Sequence, residues 1–186
     1  NKNNMGAITI EGCKKLTAAK KWFYCWNSGS TARFMLAFLP TRGISGTLYG
    51  DRSLSKRPMD RIINPLKKMG IQIHSKSKTL PISFKASSPI AFNHTLKVPS
   101  AQVKTALILS SLACNEKSII TDNFNTRDHT ERLIQYLGYK HSCYAKFTPE
   151  GFRYTVAGDI SSAAFLISAA ILIPKSNLLI KNILYN

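Results

Sequence analysis

Two short segments combine a tight turn with the start of a predicted helix, and helix starts commonly bind anions. Residues 27–31 contain Gly29 among small polar side chains, and residues 99–104 contain Ser100 and Gln102. Free backbone N–H groups and the positive end of a helix dipole can hold a carboxylate or phosphate at such a position. At residues 27–31 an ordinary helix N-cap is the favoured explanation of the hydroxyl side chains, and a cap also explains Ser100, but it gives Gln102 no function.

Two arginines, Arg57 and Arg127, each precede a predicted helix and lie 70 positions apart. A guanidinium group binds carboxylate or phosphate with two parallel hydrogen bonds. Surface arginines are common in a basic chain, so each is a weak signal alone, and their repetition strengthens it. His129 follows Arg127 closely and could reach the same pocket, although a lone histidine is more often structural or exposed.

The charge balance favours anionic partners, because 26 Lys and Arg residues oppose 9 Asp and Glu residues for a net charge of +17. Nucleic acid, acidic membranes and small phosphorylated or carboxylated compounds all fit that balance. The longest strongly apolar stretch, residues 163–173, is too short to cross a bilayer and predicts a buried helix. The four cysteines lack zinc-ligand spacing and indicate inert thiols in a reducing cytoplasm. We expect no metal and no cofactor.

The predicted elements recur in one order, which indicates an α/β (α+β) fold built from repeated β-α-β-α-β-β units. The predicted helices are 31–38, 57–69, 101–114 and 128–137, and the predicted strands are 46–49, 71–74, 80–84, 96–98, 117–121, 140–145 and 152–156. The strand that should open the first unit is poorly defined. A third copy begins with a helix at 162–173 and a strand at 177–183. We therefore divide the chain into a substrate-binding domain, residues 1–157, and a crossover into a second domain, residues 158–186.

Five segments together resemble the 5-enolpyruvylshikimate-3-phosphate synthase family. They are NSGSTAR at 27–33, GDRSLSKRPM at 50–59, PSAQVK at 99–104, RDHTER at 127–132 and GDISSAAF at 158–165. Each motif alone is modest, but five in the family's order are specific. UDP-N-acetylglucosamine enolpyruvyl transferases share the fold, and the RPM and RDHTER segments fit them less well.

The resemblance implies a fold and a reaction. The family has two domains, each of three such units around a pseudo-threefold axis, so this chain would be a truncated enolpyruvyl transferase-like domain. The family moves the enolpyruvyl group of phosphoenolpyruvate to the 5-hydroxyl of shikimate 3-phosphate and releases phosphate, in aromatic amino acid biosynthesis. Both substrates are polyanions, which agrees with the positive net charge.

The resemblance also assigns residues to the two substrates. Gly29, Arg57 and Gln102 would bind phosphoenolpyruvate. The shikimate 3-phosphate site would comprise Ser100, Ala101, Gln102, Thr126, Arg127 and His129. Catalytic residues stay unassigned, because the family's proton-transfer groups belong to its second domain.

Departures from the family pattern lead us to expect a fragment. The opening Lys-Ser motif of the family is missing, and Trp26 occupies a position where glycine is usual. We expect the chain alone to be inactive, to bind shikimate 3-phosphate weakly, and to self-associate through an apolar face where a further unit would pack.

Two other functions remain open at this point. A basic nucleic-acid-binding module is one, since RNA 3′-phosphate cyclases use a related repeat architecture. Against it, the aromatic residues at 22–26 cluster and do not alternate with basic residues. The other is a non-catalytic interaction protein, which the retention of Arg57 and Gln102 disfavours.

Overall fold

The computed structural model describes residues 8–13, 16–17 and 21–184. The chain separates into two compact units, Asn1–Glu150 and Gly151–Asn186. Each unit is described by itself below. The domain boundary expected near Gly158 stays a prediction.

The first half of the larger unit forms one complete β-α-β-α-β-β repeat. Its elements are β1 (Trp22–Tyr24), α1 (Gly29–Phe38), β2 (Gly46–Tyr49), α2 (Asp60–Lys68), β3 (Ile73–His74) and β4 (Ile82–Phe84). They build a four-stranded sheet in the order β1-β2-β4-β3, with β1 parallel to β2 and the other pairs antiparallel. The predicted order is confirmed, and β1 supplies the opening strand that the sequence left undefined.

The second half repeats the order only in part. Its elements are β5 (Asn93–Thr95), α3 (Ala101–Ser111), β6 (Ile119–Thr121) and α4 (His129–Tyr136), with β5 parallel to β6. The strand predicted at 96–98 is wrong, because pairing with β6 ends at Thr95 and the chain then leads through Pro99 into the α3 cap. A proline before the cap disfavours continued strand pairing, since it has no N–H to donate.

The strands predicted at 140–145 and 152–156 are also absent from the described structure. Tyr144 makes only an isolated bridge with Ser118. The Tyr139 hydroxyl donates to the Cys143 carbonyl and accepts from the Ala145 N–H, at 2.7 Å each, so this segment curls around one side chain. Residues 152–156 lie outside the described strands.

The smaller unit contains one helix between two very short parallel strands. They are β7 (Gly158–Asp159), α5 (Ile160–Leu172) and β8 (Ile183–Leu184). The strand predicted at 177–183 is wrong over most of its length, because β7 offers only two residues for pairing. The burial predicted for the helix is wrong as well, since Ala163 alone is buried in α5. Among the described residues, no helix combines the length and hydropathy needed to span a bilayer.

Helices α1 and α3 pack together in the core of the larger unit and run in the same direction. Their first turns are joined by a hydrogen bond from Gln102 Nε2 to Ser30 Oγ at 2.7 Å. Their last turns are joined by a bond from Ser110 Oγ to the Ala37 carbonyl at 2.9 Å. Fully buried Leu36 of α1 and Leu107 of α3 belong to the same core, and each such side chain contributes about 1.5–3 kcal/mol. The two N-terminal helix ends are therefore held side by side.

Candidate anion-binding site

The N-terminus of α1 forms the centre of the candidate site. Ser28 caps the helix, and its Oγ accepts a hydrogen bond from the Thr31 N–H at 3.1 Å. Gly29 is the buried first residue of the helix, and the first turn carries no acidic side chain. The helix dipole at this end is thus available to an anion.

Arginine side chains surround Gly29. A Cβ added at Gly29 would lie 2.5 Å from Arg33 Nη1 and 3.6 Å from Arg57 Nη1. Burial lowers the pKa of Arg33, and the charges of Arg57 and Arg61 lower that pKa further. Because guanidinium groups stay protonated in proteins, these three charges repel one another and favour an anion between them.

A chain of hydrogen bonds orients Arg57. Its Nη2 donates to Asn27 Oδ1 at 2.5 Å, and Asn27 Nδ2 donates to Asp51 Oδ2 at 2.6 Å. The other Asp51 oxygen accepts from the Leu54 N–H at 2.7 Å. The hydrogen bond from Leu54 lowers the pKa of Asp51, and Asn27 and Arg57 act in the same direction. Asp51 is therefore an ionised group that positions Arg57.

The N-terminus of α3 contributes a second cap and a polar side chain. Ser100 Oγ accepts from the Val103 N–H at 3.3 Å. Gln102 Nε2 donates to Ser30 of α1, so Gln102 has a structural partner that sequence reasoning missed. Since Ser30 follows Gly29, Arg57 and Gln102 both reach the first turn of α1.

The loop before α4 places the remaining predicted residues. Thr126 donates through both its N–H and Oγ1 to Asp122 Oδ2, at 2.9 and 2.6 Å. Arg127 and His129 are exposed at the start of α4. No hydrogen bond within the described part of the chain joins either of them to Ser100. The structure thus gathers Gly29, Arg57 and Gln102, whereas Arg127 and His129 stay on the α4 side.

Lys104 ties that loop to α3, and sequence reasoning missed this role. Its side chain is 5% exposed and forms ion pairs with Asp122 at 2.9 Å and Glu131 at 2.8 Å. Its ammonium group also donates to the Thr126 carbonyl at 3.1 Å. Although burial opposes the charged form, hydrogen bonds to Glu131 and Asp122 raise the pKa of Lys104. The sequence signal that could have indicated a buried, paired lysine was its position beside Val103, on the apolar face of a predicted helix.

An open cavity of about 760 Å³ lies beside Arg57. Its lining residues are Asp51, Arg52, Ser53, Lys56, Arg57 and Pro58. Gly29 and Gln102 do not line it, and Arg57 is the residue that both lines the cavity and lies near the N-terminus of α1. Within residues 8–13, 16–17 and 21–184, no group of three His, Cys, Asp or Glu side chains could hold a metal.

Comparison with known protein families shows the family to which this chain belongs. The model of the EPSP synthase (3-phosphoshikimate 1-carboxyvinyltransferase) family matches residues 1–186. The chain belongs to the EPSP synthase family.

Relatives within the EPSP synthase family agree over most of the chain. The 3-phosphoshikimate 1-carboxyvinyltransferase of Oceanobacillus iheyensis is 38% identical over 191 residues, covering 97% of this chain and 44% of the relative. That of Caldicellulosiruptor bescii is 38% identical over 184 residues, covering 92% and 42%. The chain thus spans less than half the length of these relatives.

Solved structures agree with the α/β assignment. EPSP synthase from Acinetobacter baumannii superposes with a TM-score of 0.70 at 34% identity, covering 79% of this chain and 35% of that one. The chain is therefore a part of the EPSP synthase fold.

Proposed function

We propose that the protein represented by this chain transfers the enolpyruvyl group of phosphoenolpyruvate to the 5-hydroxyl of shikimate 3-phosphate, releasing phosphate. Membership of the EPSP synthase family supports this proposal. The observation that carries it is the meeting of Arg57, Gln102 and the Gly29 terminus at the first turn of α1. We place the reaction in the cytoplasm, where thiols such as buried Cys25 and Cys114 stay unpaired.

Phosphoenolpyruvate would bind at the α1 terminus. Gly29 lets an anionic group approach the helix backbone closely, since a side chain there would meet Arg33. Arg57, held by Asn27, would clamp phosphate or carboxylate with its planar fork. Arg33 adds a nearby positive charge. Fixed cations of this kind stabilise charge that develops when the carbon–oxygen bond to phosphate breaks.

Shikimate 3-phosphate would bind at the α3 terminus. Ser100 and the backbone of Ala101 would hold its phosphate, and Gln102 would contact both substrates from the neighbouring turn. Thr126, Arg127 and His129 would enclose the sugar-like ring from the α4 side. Lys104 would act as a positioning residue for that loop, because it bonds the Thr126 carbonyl from α3.

Proton transfer requires groups of a different kind. Addition and elimination need an acid for the methylene carbon and a base for the hydroxyl. Asp51 and Asp122 are poor candidates, since hydrogen bonds depress the pKa of both carboxyl groups. We therefore propose that neither carboxylate is the catalytic acid or base, that those groups belong to the family's second domain, and that this chain binds shikimate 3-phosphate weakly and without turnover.

Nucleic-acid binding is not favoured by the family or by the aromatic residues. Tyr24 packs on Tyr49 at 4.9 Å and on Trp26 at 5.0 Å between ring centroids. These rings pack against one another in tilted arrangements, whereas a single-strand platform would offer separate rings to successive bases.

Isothermal titration of this chain with shikimate 3-phosphate tests the proposal. We expect saturable binding that R127Q weakens about tenfold or more, as the loss of a charge-assisted hydrogen bond implies. K140Q removes the same charge from an exposed position and should leave the affinity unchanged. Absence of saturable binding, or equal losses in both variants, would overturn the proposal. Phosphate release by this chain alone would refute the claim of inactivity.

A further inference from the structure

A second cationic groove lies between α2 and the segment that runs from β5 to α3. Its volume is about 500 Å³, and its lining residues are Asp60, Arg61, Asn64, Pro65, Lys67, Lys68, His94, Leu96, Lys97, Val98 and Val103. None of them is among the residues assigned to the two substrates above, although the charge of Arg61 also acts on Arg33. The groove lies within the larger unit, so its two walls are parts of one compact body.

Positive charge in this groove exceeds negative charge by a wide margin. Arg61, Lys67, Lys68 and Lys97 line it, and Asp60 is the only carboxylate among its described lining residues. Asp60 lies in the first turn of α2, where the helix dipole already stabilises it. Among the described residues, the ion pairs of the chain involve Lys104 and Arg132 and none of the four groove cations.

The positive charges of both walls act on one side chain, His94. His94 is half-buried in the groove, and burial lowers its pKa. Lys68 from α2 and Lys97 from the opposite wall lower that pKa further, and both line the same groove as His94. Like charges held together without a counter-ion raise the free energy of the folded chain. A bound anion would relieve that repulsion.

The floor of the groove is apolar. Leu96 and Val103 are 4% and 5% exposed, and Pro65 and Val98 are the other apolar residues of the lining. The volume falls within the range of about 300–1,000 Å³ that is typical of small-molecule pockets. An apolar floor beneath a cationic rim suits a compound with a planar or apolar body and clustered negative groups.

We propose that this groove binds a small phosphorylated compound that carries at least two negative charges and a planar or apolar body. The site is additional to the enolpyruvyl transfer site and does not depend on the function proposed for that site. Binding would link α2 to the β5–α3 segment and would stabilise the folded chain by mass action.

Adenosine diphosphate is a suitable probe, because it joins a planar base to two phosphates. Adenosine and pyrophosphate serve as controls that carry only the base or only the phosphates. We expect saturable binding of adenosine diphosphate in calorimetry, with a rise in melting temperature, and weaker binding of either part alone. The triple variant K67Q/K68Q/K97Q should bind about tenfold more weakly or worse. Its folding should be retained, because the substitutions remove repulsion.

The triple variant K76Q/K78Q/K117Q is a matched control. It removes the same charge from exposed positions that line none of the described cavities. We expect it to bind the probe as the unaltered chain does, and equal losses in both triple variants would overturn the proposal. Absence of saturable binding, or tighter and steeply salt-dependent binding of a single-stranded oligonucleotide, would also overturn it.

The substrate site can be separated from the groove in the same experiment. R127Q lies in the proposed shikimate 3-phosphate site and should not change adenosine diphosphate binding. If R127Q weakens binding of the probe as much as the groove variant does, the probe occupies the substrate site and the proposal fails.

Discussion

Lys104 is a buried lysine whose charge is balanced by two carboxylates from different parts of the chain. Asp122 belongs to the loop before α4 and Glu131 to α4 itself, and their side chains are 10% and 21% exposed. Glu131 Oε2 is buried without a hydrogen-bond partner in the described structure. The cluster therefore depends on the lysine, because its removal would leave two carboxylates together with little solvent.

Replacing Lys104 should destabilise the chain strongly. K104M leaves Asp122 and Glu131 without their cation, and we expect the free energy of unfolding to fall by about 3–5 kcal/mol. Urea denaturation followed by circular dichroism measures this loss. The control is R132Q, which breaks the exposed Arg132–Asp128 pair on α4 and should cost about 0.3–0.5 kcal/mol. A loss of unfolding free energy in K104M as small as the loss in R132Q would show that the buried cluster contributes little to stability.

Because of Asp122, the free energy of unfolding should decrease as the pH falls. Burial opposes its ionisation, but hydrogen bonds from Thr126 and Lys104 hold its pKa well below the ordinary value. Its stabilising contribution is therefore present above the unfolded pKa of about 3.9 and is lost as pH falls toward the folded pKa. Urea midpoints measured from neutral to acidic pH should fall less steeply for D122N. An unchanged slope would contradict this assignment.

Gly29 should be required for anion binding more than for folding. In G29A the new methyl group would lie 2.5 Å from Arg33 Nη1, the end of a flexible side chain that can move away. We expect the free energy of unfolding to change by less than about 1 kcal/mol, whereas phosphoenolpyruvate binding in calorimetry should weaken several-fold. G43A is the contrasting control, since Gly43 has a φ of +80° and open space around it. G43A should lower the free energy of unfolding by about 1 kcal/mol and leave phosphoenolpyruvate binding unchanged. Weaker binding in G43A together with unchanged binding in G29A would refute the role of Gly29.

Two serine caps at the element scale offer a matched pair. Ser28 caps α1 and Ser100 caps α3, and each side-chain oxygen accepts a hydrogen bond from the N–H three residues later. S28A and S100A should each reduce the free energy of unfolding by about 1 kcal/mol. Calorimetry should show that S100A weakens shikimate 3-phosphate binding and that S28A weakens it much less. Equal losses of affinity would mean that both act only through helix stability.

Local signals in the sequence were sufficient to predict most helices. Gly70 and Gly138 directly follow the helices predicted at 57–69 and 128–137, and both adopt positive φ, at 83° and 96°, just after α2 and α4. Strand β2 has the predicted bounds, and it pairs with β1 on one side and β4 on the other. Residues 140–145 were predicted as a strand as well, but the Tyr139 hydroxyl takes up backbone groups that a strand would pair. A strand needs a partner, and its own sequence does not reveal one.

The candidate site was predictable to the extent that it rests on local motifs. The helix starts at Gly29 and Ala101 follow from turn and cap residues. The contacts of Gln102 with Ser30 and of Lys104 with Glu131 join positions far apart in sequence. Such contacts arise from the packing of α3 against α1 and α4, which hydrophobic periodicity alone does not specify.

At the scale of the whole molecule, strong positive charge coexists with exposed apolar surface. The net charge is +17, which opposes close approach of two copies at low ionic strength. In the smaller unit, Phe165 and Leu172 of α5 are 81% and 80% exposed, and Leu179 is 77% exposed. Apolar patches of this kind favour association with another surface. The balance between the two effects should depend on salt.

We expect the chain to self-associate through α5 and to do so more strongly as salt increases. Salt screens the repulsion between positively charged copies and leaves apolar burial intact, whereas binding of anionic ligands should weaken with salt. Sedimentation velocity at low and high ionic strength measures the mass of the species. The variant F165Q/L172Q should remain monomeric, and I90Q, which alters an exposed apolar residue of the larger unit, should behave like the unaltered chain. Self-association that weakens with salt, or that persists in F165Q/L172Q, would assign the contact to charged surface instead of to α5.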